Sequence, residues 1–205
     1  TQVINASLFN TAIPAIIILL CFLLQIEKTN KYQIAGLVIS VLGILSIITR
    51  LNLETILYLN FNKGDLIMIG GVISWGLYSA FLKRKKFDLP LLTLVHVLCS
   101  LGLIFIFPQF MYEFTQGQRI EINENLFYIL IFLALFPSIG SYYCWAGAVS
   151  IIGANRAGIF LSLIPLFSTL MAIFFYNEQF QFFHLIGAIL IILGLFLSNK
   201  ENKNA

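Results

Sequence analysis

Residues 14–43 read PAIIILLCFLLQIEKTNKYQIAGLVISVLG, and residues 165–194 read PLFSTLMAIFFYNEQFQFFHLIGAILIILG. Laid one over the other without a gap, at an offset of 151 residues, they bring Pro14 over Pro165, Glu27 over Glu178, Gly36 over Gly187 and Gly43 over Gly194. The same register pairs Ala6 with Ala157, Ile13 with Ile164 and Leu42 with Leu193. Chance supplies Ile and Leu matches in apolar sequence, but rarely a proline, a glutamate and two glycines in one register. Each copy reads as a helix with a proline near its middle, a tight turn carrying Glu at a membrane edge, then a helix whose two glycines stand seven residues apart on one face.

The surrounding composition places the repeat in lipid. The chain has 205 residues, 60% apolar and 10% charged, with a mean hydropathy of +0.94. Twelve Lys and Arg with nine Asp and Glu are too few to cover a soluble globule of this length. Seven apolar runs are long enough to span a bilayer, at roughly 3–25, 32–49, 65–82, 90–111, 126–149, 154–176 and 181–199. The runs are continuous rather than alternating, which excludes a β-barrel. The expected fold is all-α, a polytopic transmembrane helix bundle. Cys21, Cys99 and Cys144 lie inside these runs without paired spacing, so neither a disulfide framework nor a zinc cluster is expected, and the thiols are read as buried and inert. Thr1 is followed by no basic leader, so the opening stretch is not a secretory signal.

Counting basic residues on alternate sides of seven spans puts Lys28, Lys31, Lys83, Arg84, Lys85, Lys86, Arg156, Lys200 and Lys203 on one side and Arg50, Lys63 and Arg119 on the other. The richer side is expected to face the cytoplasm, together with the tail from Asn199 to Ala205. Five helices separate a feature from its copy. Because five is odd, the copies cross the bilayer in opposite senses, as in inverted-topology secondary transporters. Helices one and two then close a first five-helix repeat and helices three to seven form a complete second one. Three further helices are expected upstream of residue 1, and an odd number agrees with the charge count.

Gly64, Asp65, then Ser74, Trp75 and Tyr78 through Lys83 and Arg84 resemble the opening helix of an EamA repeat, and Pro165, Asn177, Glu178, Gly187 and Gly194 resemble its close. The resemblance covers essentially the whole chain. It implies a closing hairpin of a first EamA unit at 1–50, a connecting loop at 51–63, a second unit at 64–199 and a cytoplasmic tail at 200–205. It also implies a ten-helix drug/metabolite transporter as the parent architecture, of which seven helices are present here. By the same resemblance the activity is export or exchange. The resemblance carries no information about the substrate.

A polar side chain in hydrocarbon is costly unless it faces protein or water, so polar stripes mark inward faces. Ser7, Asn10, Thr11 and Pro14 share one face of the first helix, and Ser162, Pro165, Ser168 and Thr169 one face of the sixth. Ser138, Ser141, Tyr142 and Trp145 repeat that spacing on the fifth, and Ser74, Trp75 and Tyr78 form a shorter patch on the third. The substrate-binding candidates are Asn10, Thr11, Ser74, Trp75, Tyr78, Ser141, Tyr142, Trp145, Ser162 and Ser168. The competing account is local: serines bond to their own helix backbone and aromatics anchor at interfaces. Pro14 and Pro165 are candidate hinges, since each removes a helix hydrogen bond. Gly36, Gly43, Gly187 and Gly194 are read as packing positions, within the chain or in a homodimer. Glu27 and Glu178 are assigned to helix termination and to capping the helix that follows. His96 is read as a neutral histidine hydrogen-bonded in the bundle, and the Asn5-Ala6-Ser7 sequon as incidental.

No acidic residue or lysine falls at mid-span, and no phosphate-binding loop, zinc-protease pair or Ser-His-Asp set is present, which disfavours ATP-driven pumping and hydrolysis. No catalytic residue, metal or cofactor is expected. The expected partners are a small solute and membrane lipids, with no nucleic acid. The expectation is alternating-access transport of a small organic solute or metabolite across a plasma (inner) membrane. A non-transporting scaffold or enzyme, or a non-functional truncated transporter, is the alternative.

Overall fold

The structure is a computed structural model that describes residues 3–52, 54, 62–84, 89–117, 124–176 and 179–200. The elements in chain order are α1 (Val3–Thr11), α2 (Ile13–Leu23), α3 (Lys31–Thr49), α4 (Lys63–Arg84), α5 (Leu91–Thr115), α6 (Glu124–Leu133), a π-helical segment (Ala134–Gly140), α7 (Ser141–Ile152), α8 (Ala154–Phe160), α9 (Leu163–Tyr176) and α10 (Phe182–Ser198). Taken as continuous runs they give six helices long and apolar enough to span a bilayer, and α10 follows at 17 residues. The chain is an all-α polytopic helix bundle, as its composition dictates. Glu178, Lys85, Lys86, Arg119 and Lys203, on which the repeat or the charge count drew, lie outside the described residues.

Two compact units are formed: Thr1–Lys85 with Ile152–Ala205, and Lys86–Ile151. In the first, the repeat is built into the backbone. Asn30 opens α3, its Oδ1 accepting from the Gln33 N–H at 2.8 Å and its own N–H donating to Gln33 Oε1 at 3.0 Å. At the positions 151 residues on, the Gln181 N–H donates to His184 Nδ1 at 3.1 Å to open α10. The helices so started pack antiparallel along their glycine faces. A Cβ on Gly43 would stand 2.8 Å from the Gly187 carbonyl, and one on Gly187 would stand 2.8 Å from the Gly43 carbonyl. Gly36 meets Gly194 and Ser198, Gly187 meets Ile47, Gly43 meets Ile191, and Gly194 meets Ser40.

These contacts are images of one another under the 151-residue offset. The Gly36–Gly194 contact maps onto Gly187–Gly43, Gly36–Ser198 onto Gly187–Ile47, and Gly43–Ile191 onto Gly194–Ser40. An antiparallel contact that maps onto itself in this way has a local pseudo-twofold axis between the helices. Lipid tails are as apolar as Leu, so this seam gains its stability from close van der Waals contact, which only the absence of Cβ atoms allows. Ile18, Ile44, Ile159, Ile191 and Leu195 fill the core beside it. The glycines therefore pack within the chain.

In the second unit the fifth span departs from regular helix. Pro137 has no N–H to give the Leu133 carbonyl, and the ladder slips to a π-helix across Ala134–Gly140. Ser138 lies inside that segment, so it is out of α-helical step with Ser141, Tyr142 and Trp145 on α7. Cys99 and Cys144 are exposed there, contrary to the expectation of burial. Cys21, in the first unit, is buried.

Candidate functional site

Both proline-bearing spans of the first unit are broken near their prolines. α1 ends at Thr11 and α2 begins at Ile13, one residue before Pro14; α8 ends at Phe160 and α9 begins at Leu163, two residues before Pro165. A proline cannot donate to the carbonyl four residues back and its ring crowds that group, so the helix is interrupted upstream. Tighter turns bridge the gaps. The Ala12 N–H donates to Phe9 O, and those of Leu161, Ser162 and Ile164 donate to Gly158, Ile159 and Leu161 O, all at 3.0 Å.

A cavity of about 460 Å³ lies at these two breaks. Its wall is Ser7, Asn10, Thr11, Ile13 and Pro14 from the first span, Leu161, Ser162, Ile164, Pro165, Ser168 and Thr169 from the sixth, Ile44, Ile47 and Ile48 of α3, and Trp75 of α4. Four pairs of the wall are repeat-related: Asn10 with Leu161, Thr11 with Ser162, Ile13 with Ile164 and Pro14 with Pro165. The cavity thus sits where the two repeats meet, with broken backbone at its edge, a setting in which irregular backbone is tolerated at membrane depth.

Of the sequence-derived candidates, Asn10, Thr11, Trp75, Ser162 and Ser168 come together on this wall with Pro14 and Pro165. Tyr78 stands beside Trp75, ring centroids 5.4 Å apart and tilted 55°. Ser74 is exposed and its hydroxyl donates to its own helix at Gly70 O, 2.8 Å. Ser141, Tyr142 and Trp145 belong to α7 of the second unit. That unit has a second cavity, of about 440 Å³, lined by Leu92, Thr93, Val95, His96, Cys99 and Ile139. His96 is exposed there rather than buried among polar partners. The α3 isoleucines were not anticipated, because apolar side chains one turn apart look the same on a lipid-facing and a cavity-facing stripe.

Another contact in this unit departs from what the sequence assigned. Glu27 does not cap the helix that follows it, since Asn30 and Gln33 already satisfy that end. Its carboxylate instead reaches across the bundle and accepts the N–H groups of Ala154 at 2.8 Å and Asn155 at 3.0 Å, the first turn of α8. Gly153, at φ +89°, makes room: a Cβ there would lie 2.5 Å from Glu27 Oε1. Asn155 adds a side-chain bond to Thr29 at 3.4 Å. Below this latch α2 and α8 pack closely, with Ile17 against Gly158 and with Ile17, Cys21, Ala154 and Ile159 all 0% exposed.

A second polar anchor lies at the start of α4. Asp65, 1% exposed, accepts from the Asn62 N–H at 2.7 Å and from Asn5 Nδ2 at 3.0 Å. This gives Asn5, 1% exposed, a structural task and removes it from consideration as a glycosylation acceptor.

A multi-pass helical membrane protein with broken helices meeting at a cavity on a repeat axis is the class this architecture defines. The chain belongs to the EamA-like transporter family, whose pattern matches residues 62–200. It is similar to the uncharacterized transporter YyaM of Bacillus subtilis (strain 168), 26% identical over 95% of this chain and 64% of the relative. It is also similar to an uncharacterized transporter of Archaeoglobus fulgidus, 28% identical over 98% of this chain and 68% of the relative. A third relative, YetK of Bacillus subtilis, is 23% identical over 97% of this chain and 60% of its own length. The chain therefore spans about two thirds of the length of these relatives.

Proposed function

We propose that this chain carries the solute pathway of a secondary transporter working by alternating access, with the cavity between the two broken helices as its substrate site. The observation that carries the reading is an asymmetry. Under the 151-residue offset, α1 and the first turns of α9 are the images of α8 and α2. Yet α2 packs along α8 over its length while α1 and α9 make no comparable contact, and the cavity occupies that space. Two structurally equivalent pairs, one closed and one open, are what exchange of conformation between inverted repeats requires.

In the exchanged state α1 closes on α9, with Ser7 against Ser168 as the image of Gly158 against Ile17, and the α2–α8 pair opens. Pro14 and Pro165 serve as the hinges. The Glu27 latch holds the present state. Membership of a transporter family and the names of the relatives support the same reading. The setting proposed is a plasma (inner) membrane with the basic side, including Lys28, Lys31 and Lys200, in the cytoplasm.

Counterflow in proteoliposomes loaded with a panel of labelled metabolites tests this. Exchange of at least one solute is expected, falling about tenfold or more in Asn10→Ala and Trp75→Ala, the loss of one or two polar or aromatic contacts. Well-folded protein that moves no member of the panel, or variants that transport normally, would count against the assignment.

A further inference from the structure

We infer that the solute taken by this cavity is uncharged, and that Ser162 is the hydroxyl that holds its polar group; the inference rests on the cavity being the substrate site. Among the described residues the wall carries no Asp, Glu, Lys, Arg or His. Its polar groups are hydroxyls, the Asn10 amide and the Trp75 indole, set among Ile13, Ile44, Ile47, Ile48 and Ile164.

The helix ends at the cavity add little net field. Each break joins the negative end of one segment to the positive end of the next, and the bridging hydrogen bonds at 3.0 Å keep the two ends adjacent, so their partial charges offset. The wall formed by the described residues offers an entering ion no counter-charge in place of its hydration, whereas an uncharged molecule would lose only hydrogen bonds that this wall replaces.

The two repeat-related hydroxyls divide the work. Thr11 Oγ1 donates to Ser7 O at 2.8 Å, so its proton is committed to its own helix. Ser162, 1% exposed and at the break before α9, has no partner for its Oγ among the described residues. A buried hydroxyl left without a partner is costly, and here it borders a cavity of about 460 Å³, within the range that encloses small organic ligands. Its Oγ is turned away from open space, so a bound carbonyl, hydroxyl or amide satisfies it once χ1 rotates the hydroxyl to the cavity.

Equilibrium dialysis of the protein in nanodiscs, with empty nanodiscs as blank, tests the inference using four probes that share a phenyl ring: phenylacetamide (uncharged), phenylacetate, phenethylammonium and zwitterionic phenylalanine. Phenylacetamide is expected to bind saturably, and the three ionised probes at least about tenfold more weakly, because unpaired charge is buried at high cost. Ser162→Ala is expected to weaken phenylacetamide about 2- to 12-fold, the equivalent of one hydrogen bond. Ser150→Ala, whose hydroxyl bonds to Gly147 O in the second unit, leaves binding unchanged. An ionised probe that binds as tightly as phenylacetamide, no saturable phenylacetamide binding, or an unaffected Ser162→Ala would each overturn the inference. Counterflow separates this from the reading beneath it: flux indifferent to solute charge removes the solute class and leaves transport standing, while absence of all flux removes transport.

Discussion

Removing the Glu27 carboxylate is expected to open the α2–α8 side of the bundle. Glu27 accepts two N–H groups, at 2.8 and 3.0 Å, from the start of α8. Hydrogen bonds to a charged group contribute about 1.5–3 kcal/mol each when well shielded, but Glu27 is only half-buried, so a helix-cap figure is the sounder guide. Together the two bonds are worth about 1–3 kcal/mol, a factor of about 5 to 150 in the open population. Cys21, 0% exposed on α2 and six residues from Glu27, is a built-in reporter once Cys99 and Cys144 are replaced by Ala. In that background Glu27→Ala should raise the rate of Cys21 alkylation by N-ethylmaleimide in membranes by about 5- to 150-fold, with Glu27→Gln between the two because its amide oxygen retains one acceptor. Equal alkylation rates in all three proteins, with solute exchange intact, would mean that the latch does not hold this side shut.

Other changes follow from the same contacts. Gly43→Ala would press a Cβ to 2.8 Å from the Gly187 carbonyl and 2.9 Å from the Ile191 nitrogen, both backbone atoms unable to yield, and should cost about 1–3 kcal/mol in thermal melting. Gly71→Ala, with nothing within 4 Å, should not lower the melting temperature, and an equal loss there would discredit the seam. Asp65→Ala strips the acceptor from Asn5 and Asn62 and should destabilise the protein by about 2–6 kcal/mol, one to three per stranded donor; melting near that of the native protein would contradict it. Pro165→Ala restores an N–H to the sixth span and should slow exchange about tenfold or more, about 1.4 kcal/mol on the barrier, while phenylacetamide binding stays within about threefold. Unchanged exchange in that variant would rule out the hinge.

The fold was legible because its determinants are periodic. Apolar runs delimit helices by length alone, and Gly36, Gly43, Gly187 and Gly194 announce a close helix contact wherever they occur. Their partner was left open between this chain and a second copy; in the structure, helices related by the offset meet antiparallel, each glycine opposite the other copy's. The Ser7–Asn10–Thr11 and Ser162–Ser168–Thr169 stripes were legible for the same reason, since a polar face in lipid must turn inward. Three features were hidden. Glu27 looked like a local cap because sequence spacing shows only neighbours, whereas its acceptors lie 127 and 128 residues away. The slip to a π-helix at Pro137 depends on where a missing N–H is absorbed, which residue type alone leaves open between a kink, a break and a π-turn; Pro14 and Pro165 took the second course. Asp65 stood in the sequence only among the residues that carry the family resemblance, and its burial follows from Asn5 arriving beside it.

Whether the two repeats exchange conformations can be read from one pair of engineered cysteines. With Cys21, Cys99 and Cys144 replaced, Ser7→Cys and Ser168→Cys sit on the open side, at the positions equivalent to the closed Gly158–Ile17 contact. Disulfide formation needs Cα atoms within about 4.4–6.8 Å, so it reports closure and little else. The pair should cross-link in membranes of actively exchanging protein, faster when Glu27→Ala is added, and cross-linking should halt exchange until a reductant is supplied. A pair that never cross-links while solute continues to exchange would show that α1 does not close on α9, and that the inverted repeat is architecture without a moving part.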